Sequence, residues 1–262
     1  MKCNDILNNL LKAMPKELAM SWDNVGLLAG SKEKEVKNIV VSLDLSEKLI
    51  ERAISLKADL IVSHHPLIFS PIKNVTDETS VGKRLVSLIK NDISYIALHT
   101  NYDIAAGCMS DLVAERIELR GEPLEKTASM EDEDVGIGKV GDLEKPLKIS
   151  EIAELVKERL KLPHLRVFDD GEDRFVSRIA ISPGSGKGMY KAAYEKRASL
   201  LISGDISHHD AVDALELGVA TIDAGHYGLE HIFIADMAQR LRDMDKAFNV
   251  FEEDITFPDR IA

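Results

Sequence analysis

The stretch NIVVSLDLSEKLIERAISLKADLIVSHH, residues 38–65, decides the fold that the sequence predicts. It begins and ends with short apolar runs, and between them Leu49, Ile50, Ala53 and Ile54 recur at helical spacing. Continuous short apolar runs are typical of buried strands, whereas apolar residues three to four positions apart are typical of a helix. The stretch therefore predicts a strand, a helix and a second strand, which form a βαβ unit.

The same pattern occurs again later in the chain. Residues 178–209, RIAISPGSGKGMYKAAYEKRASLLISGDISHH, predict strand, turn, helix and strand, and they also end on two histidines. An apolar strand then leads to His-x-x-x-Asp at 94–103 in one half and to His-x-x-x-Glu at 219–230 in the other. We therefore expect an α/β protein made of two related α/β domains with mostly parallel sheets.

The segment between the two halves has the composition of a domain boundary. Residues 121–146, GEPLEKTASMEDEDVGIGKVGDLEKP, are rich in Glu, Asp, Gly and Pro. We place the boundary near residue 125, which gives domains at 1–125 and 126–262. The last apolar strand, FNVFEED at 248–254, can complete the second sheet or cross back to the first.

Charge and composition exclude several classes of protein. The formal net charge of −12 and the pI near 5.2 oppose general nucleic-acid binding, which depends on clustered Lys and Arg. Two cysteines, Cys3 and Cys108, are too few for a disulfide framework and lack the CxxC spacing of thiolate zinc sites. No segment approaches the run of about 20 apolar residues that spans a bilayer. We expect a cytoplasmic protein that does not enter a membrane.

The histidines are concentrated where a ligand site would form. Six of the eight lie at or just beyond the end of a predicted strand, namely His64, His65, His99, His208, His209 and His226. In open α/β sheets the carboxyl ends of the strands are where ligands bind. Consecutive strand residues point to opposite faces, so His64 and His65 can bind one ligand only where Pro66 breaks the strand. A single histidine there would more often be a polar strand end, whereas the pair favours metal ligands.

His226 and Glu230 form a second candidate pair. They lie four residues apart at the start of a predicted helix, which places both side chains on one face. An isolated Glu at a helix start is common because the helix dipole favours it. The histidine beside it and the matching spacing of His99 and Asp103 instead favour metal binding. Such a pair can hold one metal ion or bridge two.

The types of candidate ligand predict both the kind and the number of metal ions. The candidate ligands are His64, His65, Asp103, His226 and Glu230. Imidazole and carboxylate without thiolate suit Zn, Fe, Mn, Co or Ni, whereas Mg and Ca prefer oxygen ligands. One catalytic zinc ion usually takes three protein ligands. We therefore expect two divalent metal ions per chain that share a carboxylate, in a cleft at the carboxyl ends of the strands.

His208 and His209 are not counted among the ligands. Ser207 can cap the helix that follows, and Asp210 lies in its first turn. The two histidines can be helix-start residues, can orient ligands or can contact substrate.

Five segments carry a resemblance to a known family. They are SWDNVGLLAG at 21–30, SHHPLIF at 63–69, HTNYD at 99–103, SGDISHH at 203–209 and AGHYGLE at 224–230. Together they resemble the Nif-three-like dinuclear metal family, whose members are often named GTP cyclohydrolase I type 2 homologues. The match covers nearly the whole chain.

The resemblance implies a pair of α/β domains that enclose a two-metal centre and subunits that assemble into a hexamer. The family's ligands correspond to the five candidates above, all of which this sequence contains, and Glu230 is expected to bridge the metals. At 262 residues the chain resembles the short members, which lack an inserted middle domain.

Two functions remain open at this point. The first is a metal-dependent hydrolase of a nucleotide-like or phosphorylated small molecule, because two close metal ions activate water near neutral pH. His99, four residues before Asp103, is a candidate proton shuttle or ligand-orienting residue in such an enzyme. The second is a metal-binding scaffold or regulatory protein without enzymatic activity.

Overall fold

The computed structural model describes residues 1–260 of the 262. Its α-helices are α1 (Cys3–Ala13), α2 (Glu47–Ser55), α3 (Ser80–Lys90), α4 (Thr100–Ile104), α5 (Met109–Arg116), α6 (Ile149–Arg159), α7 (Met189–Glu195), α8 (His208–Glu216), α9 (His226–Glu230) and α10 (Ile232–Met244). Its strands are β1 (Gly26–Ala29), β2 (Asn38–Ser42), β3 (Leu60–Ser63), β4 (Ser94–Ala97), β5 (Glu122–Met130), β6 (Glu133–Lys148), β7 (Arg166–Phe168), β8 (Phe175–Ser185), β9 (Leu200–Gly204), β10 (Ala220–Asp223) and β11 (Asn249–Glu252).

The chain folds into two compact units. The first contains Met1–Tyr102 and Phe233–Ile255, and the second contains Asp103–Ile232 and the tail that begins at Thr256. The boundary that we expected near residue 125 therefore differs from the division in the structure. Residue 125 lies inside β5, and the preceding residues from Asp103 onward already belong to the second unit.

The segment that resembled a linker is an antiparallel hairpin. β5 pairs along its length with residues 133–140 of β6, and the turn between the strands contains Glu131 and Asp132, both at positive φ. The charged residues that gave the segment its linker-like composition are mostly exposed, whereas Leu124, Val135 and Val140 are buried. Consecutive strand residues point to opposite faces, so the three exposed residues at 125–127 show that this part of β5 is solvated on both faces.

The first unit contains a sheet with strand order β1-β4-β3-β2-β11. Its pairings are parallel except for β1 with β4, which confirms the predicted βαβ unit of β2, α2 and β3. One apolar core joins Val40 and Ile61 of the sheet to Leu49 and Ile50 of α2. All four are at most 2% exposed, which explains why these strands are continuous apolar runs.

The C-terminal strand crosses back to the first sheet. β11 lies parallel to β2, with Val250 opposite Ile39 and Phe251 opposite Val40. Arg242 of α10 donates a hydrogen bond to the Val250 carbonyl at 3.0 Å, which ties the strand to the helix before it. The last strand therefore belongs to the first sheet, a choice that the sequence left open.

The second unit contains a mixed sheet with strand order β5-β6-β8-β9-β10-β7. Its centre, β8-β9-β10, is parallel, and the strands added on either side are antiparallel. The order β8-α7-β9-α8-β10-α9 repeats the order β2-α2-β3-α3-β4-α4 of the first unit. The predicted pair of related α/β halves is therefore confirmed, and the antiparallel strands β5, β6 and β7 are additions to the second half.

Parallel register brings the carboxyl ends of neighbouring strands to one edge of each sheet. In the first unit Ser42, Ser63 and Ala97 are in register at the ends of β2, β3 and β4. In the second unit Asp223 at the end of β10 is in register with Ser203 of β9. The residues that follow these positions are the candidate site residues.

The structure also describes the two cysteines and the apolar character of the helices. Cys3 and Cys108 are both buried thiols, and burial raises the pKa of Cys3 above its ordinary value. Among the described residues, no helix combines the length and the apolar character that crossing a bilayer requires.

Candidate metal centre

The turn that carries the histidine pair is fixed by a buried tyrosine. The hydroxyl of Tyr95 on β4 lies 2.6 Å from Ser63 Oγ and 2.8 Å from the carbonyl oxygen of His65. It also accepts a hydrogen bond from the backbone N–H of Leu67 at 3.0 Å. Burial is the largest influence on this hydroxyl and raises the pKa of Tyr95 to about 12, so it stays protonated. The turn from Ser63 to Leu67 is thus held to the neighbouring strand.

Hydrogen bonds at Nδ1 determine which nitrogen each imidazole of the pair presents. His64 Nδ1 lies 2.8 Å from the Leu98 carbonyl oxygen, and because a carbonyl only accepts, Nδ1 carries the proton. His65 Nδ1 lies 2.9 Å from Asp44 Oδ1, where an ionised carboxylate likewise accepts. In neutral rings of this tautomer, Nε2 is the metal-binding atom.

His99 is held by a buried carboxylate. Its Nδ1 lies 2.9 Å from Asp23 Oδ1, and the other oxygen of Asp23 accepts from the Thr100 N–H at 3.0 Å and from the Thr100 hydroxyl at 2.5 Å. Burial by itself raises the pKa of Asp23, but the hydrogen bonds from His99 and Thr100 outweigh it and lower the pKa to about 2. Asp23 is therefore an anion at neutral pH.

The three imidazoles of the first unit converge. One ligand nitrogen from each of His64, His65 and His99 lies within 4.8 Å of the other two. Their ring centroids are 5.0 to 5.6 Å apart. His99, which we expected to be a proton shuttle or ligand-orienting residue, is thus part of a group whose donor atoms lie close enough together to bind one metal ion.

In the second unit, α9 brings His226 and Glu230 together, as their spacing predicted. His226 Nε2 lies 2.9 Å from Glu230 Oε2, and the Glu230 side chain is only 4% exposed. His226 Nδ1 lies 2.8 Å from Asp205 Oδ2, so Nδ1 carries the proton and donates it to the carboxylate, as in His65. The pair offers one imidazole nitrogen and one carboxylate to a metal ion.

Two glycines make room for this pair. A Cβ atom at Gly184, the next-to-last residue of β8, would lie 2.5 Å from Glu230 Oε1. A Cβ at Gly204, the last residue of β9, would collide with the backbone nitrogen of His226. Gly184 also has φ +76°, which side-chain-bearing residues rarely adopt. α9 can therefore approach the strand ends only because both positions lack side chains.

The remaining predicted residues lie in helices. Asp103 is in α4, and its backbone carbonyl accepts a hydrogen bond from Ser110 Oγ at 3.0 Å. His208 and His209 are exposed in the first turn of α8. Ser207 caps that helix by accepting from the Asp210 N–H at 3.1 Å, which confirms the predicted cap.

The donor set fits a transition metal. Imidazole nitrogens with protonated Nδ1 positions, together with a buried carboxylate, match the ligands of Zn, Fe, Mn, Co and Ni. A metal-bound histidine usually donates its other N–H to a carboxylate or a backbone carbonyl, and His64, His65 and His226 each do so.

Sequence reasoning missed the residues that hold these rings. They are Asp23, Asp44, Tyr95 and Asp205. Asp44 and Asp205 each follow the end of a strand, as the histidines do, and this position was the available signal. Asp23 and Tyr95 are linked to their histidines across 76 and 30 residues of chain, which no local pattern reveals.

Comparison with known proteins places the chain among related sequences and folds. A GTP cyclohydrolase 1 type 2 homolog from Clostridium perfringens is 35% identical over 257 residues, which cover 97% of each chain. A protein with the same name from Lactococcus lactis is 34% identical over 96% of each chain. The crystal structure of a Staphylococcus aureus hypothetical protein superposes with a TM-score of 0.89 at 28% identity, covering 100% of this chain and 99% of that one.

A family model matches residues 1–258, nearly the full length of the sequence. The match agrees with the resemblance carried by the five sequence segments and with the two α/β halves of the structure. The chain belongs to the Duf34/NIF3 (NGG1p interacting factor 3) family.

Proposed function

We propose that the protein binds two divalent transition-metal ions and uses them to hydrolyse a nucleotide-like or phosphorylated small molecule. The proposed ligands are His64, His65, Asp103, His226 and Glu230. The observation that carries the proposal is the hydrogen bond at Nδ1 of each ligand histidine, to the Leu98 carbonyl, to Asp44 and to Asp205. Each bond fixes the tautomer that presents Nε2 to a metal.

The burial of Glu230 supports a ligand role. A carboxylate that is 4% exposed has lost most of its hydration, and buried charges are normally paired or coordinate a metal. His226 Nε2 lies 2.9 Å from its Oε2, and that histidine carries a positive charge only when protonated. A bound metal cation would place beside Glu230 a positive charge that does not depend on the protonation of His226.

In the proposed reaction the metal ions would activate water, and side chains of the protein would hold and transfer protons. When bound, two close metal ions lower the pKa of water and stabilise charge on the attacked centre. His99 would hold or deliver a proton at Nε2, because Asp23 occupies its Nδ1 and fixes the plane of its ring. Thr100 keeps the Asp23 carboxylate in place through two hydrogen bonds.

The names of the relatives support the substrate class. Proteins of 34–35% identity are named GTP cyclohydrolase 1 type 2 homolog, and opening a purine ring by hydrolysis uses the same activated water as phosphoester hydrolysis. We therefore place purine nucleotides first among the substrates to test on this protein.

The first prediction concerns metal content. Protein purified without chelator, or stripped and then reloaded, should contain about two transition-metal ions per chain, because five ligands satisfy two centres by sharing a carboxylate. Elemental analysis by mass spectrometry measures this ratio. If reloaded protein contains no bound metal, the proposal is wrong.

The second prediction separates the ligand Glu230 from the histidines of α8. Glu230→Gln should lose metal and turnover, because Gln preserves size but removes the charge and one ligand oxygen. His208→Ala and His209→Ala should keep both metals, since the two side chains lie exposed in a helix start. Metal content of the three variants is compared with wild type after identical loading, followed by a screen of nucleotides for hydrolysis.

Two results would contradict this assignment. Retention of both metals by Glu230→Gln, together with loss of one from His208→Ala or His209→Ala, would show that the ligands of the second unit are misassigned. Equal background rates of hydrolysis in loaded wild type and in Glu230→Gln would instead indicate a metal-binding scaffold without turnover.

The third prediction compares Gly184, near the end of β8, with Gly188, the residue before α7. Gly184 and Gly188 have nearly the same backbone angle, φ +76° and +75°, so alanine should cost each about 1–2 kcal/mol of stability. A Cβ at Gly184 would lie 2.5 Å from Glu230 Oε1, whereas a Cβ at Gly188 meets nothing within 4 Å. Gly184→Ala should therefore weaken metal binding and Gly188→Ala should not. Urea unfolding and metal titration measure the two effects separately, and equal metal affinity in both variants would contradict the prediction.

The fourth prediction concerns assembly. We propose that the chain forms a homohexamer, which the family resemblance implies and which fits the tendency of soluble oligomers towards closed symmetry. Light scattering at micromolar concentration should give about six times the 29.0 kDa mass of one chain. A monomer under these conditions would contradict the proposal.

A further inference from the structure

Two exposed aromatic side chains lie side by side next to the imidazoles of the first unit. Trp22 is 53% exposed and Phe69 is 54% exposed, and their ring centroids are 5.5 Å apart. Both rings contact His99 edge to face, at 6.0 Å for Trp22 and 6.4 Å for Phe69. Scattered exposed apolar residues need no explanation, whereas this pair forms one continuous aromatic surface beside the candidate site, where a ligand of that site can contact it.

Hydrogen bonds hold the turn of Trp22 rigidly to its neighbours. The residue after it, Asp23, binds His99 and Thr100, and the Asn24 side chain donates to the Ile68 carbonyl at 2.7 Å. Met20 donates its backbone N–H to Thr100 Oγ1 at 2.9 Å. The backbone beside both rings is therefore held in place, so a ligand would meet two turns that are already formed.

We propose that the Trp22–Phe69 pair is the binding surface for the nucleobase of the substrate. This proposal rests on the proposed function and names the part of the substrate that the protein would recognise. The two rings are tilted by 48°, so a planar base that stacks on Trp22 would meet the Phe69 ring at the same tilt. Stacking of aromatic rings is favourable beyond the apolar area that it buries. The base would then lie against His99, where the proposed proton transfer takes place.

The size of the pair favours a small ligand over a second copy of the chain. An aromatic side chain offers about 150–250 Å² when fully buried, and each of these rings is already about half covered. A stable protein interface needs about 800 Å² from each partner. Two half-exposed rings are far below that area, whereas they match the face of one purine.

The sequence provides a direct probe, because Trp22 is the only tryptophan in the chain. We would titrate metal-loaded protein with guanosine, adenosine, cytidine and uridine, and with ribose 5-phosphate as a ligand that has no base. At least one nucleoside should change Trp22 fluorescence saturably, whereas ribose 5-phosphate should not. If no nucleoside binds, or if ribose 5-phosphate binds as tightly as every nucleoside, the proposal is overturned.

Variants then assign the binding to the pair. Trp22→Ala and Phe69→Ala should each weaken binding of the best nucleoside about ten- to hundredfold by calorimetry, as expected for loss of a stacked base, and Trp22→Phe should lose less. Phe175→Ala is the matched control, because Phe175 is 64% exposed on β8 in the second unit. The proposal is overturned if Trp22→Ala binds the nucleoside as tightly as wild type and Phe69→Ala binds it as tightly as the control Phe175→Ala.

Two measurements on the same variants distinguish the possible failures. Unchanged metal content with lost nucleoside binding supports a base-binding role. Dissociation of the assembly in light scattering, with nucleoside affinity unchanged, would show that the pair contacts another copy of the chain and would overturn the proposal. Nucleoside binding through Trp22 in a protein that takes up no metal would refute the proposed function but leave the base-binding surface standing.

Discussion

The hydrogen bond at Nδ1 of each proposed ligand histidine is the interaction on which the candidate centre depends. Each acceptor is a strand-end group: the Leu98 carbonyl follows β4, Asp44 follows β2 and Asp205 follows β9. A one-residue slip of register would turn strand side chains to the other face and would separate acceptor from imidazole. The parallel register of each sheet therefore sets the tautomers of its histidines, and buried apolar strands keep that register fixed.

The two units position their ligands by different physical means. In the first unit the Tyr95 hydroxyl holds the turn of His64 and His65 by hydrogen bonds to the backbone. In the second unit the absence of side chains at Gly184 and Gly204 lets α9 approach the strands. A hydrogen bond fixes a turn at a set distance, whereas a glycine only permits contact. In the second unit His226 is therefore positioned by the packing of α9, where Leu229 is buried, and by the hydrogen bond of its Nδ1 to Asp205.

The sequence predicted what local spacing determines. His64, His65, His226 and Glu230 lie at strand ends or one helical turn apart, so their grouping within each unit followed from short motifs. Contacts across long stretches of chain were missed or left open, including the crossing of β11 to β2. The β5–β6 hairpin was missed for another reason, because most of its charged residues are exposed and give it the composition of a linker. A single sequence reports periodicity and composition but not which distant residues meet.

Asp23 links the proposed chemistry to the proposed recognition. Its carboxylate fixes the His99 ring, and its neighbour in the chain is Trp22. Because the pKa of Asp23 is lowered to about 2, its stabilising contribution is complete above the ordinary pKa near 3.8 and is lost only as pH falls towards 2. Asp23 therefore keeps its negative charge, and its hydrogen bond to His99, across physiological pH. The same buried carboxylate would position both the base stacked on Trp22 and the proton held by His99. Base recognition and proton transfer would therefore depend on one residue, Asp23.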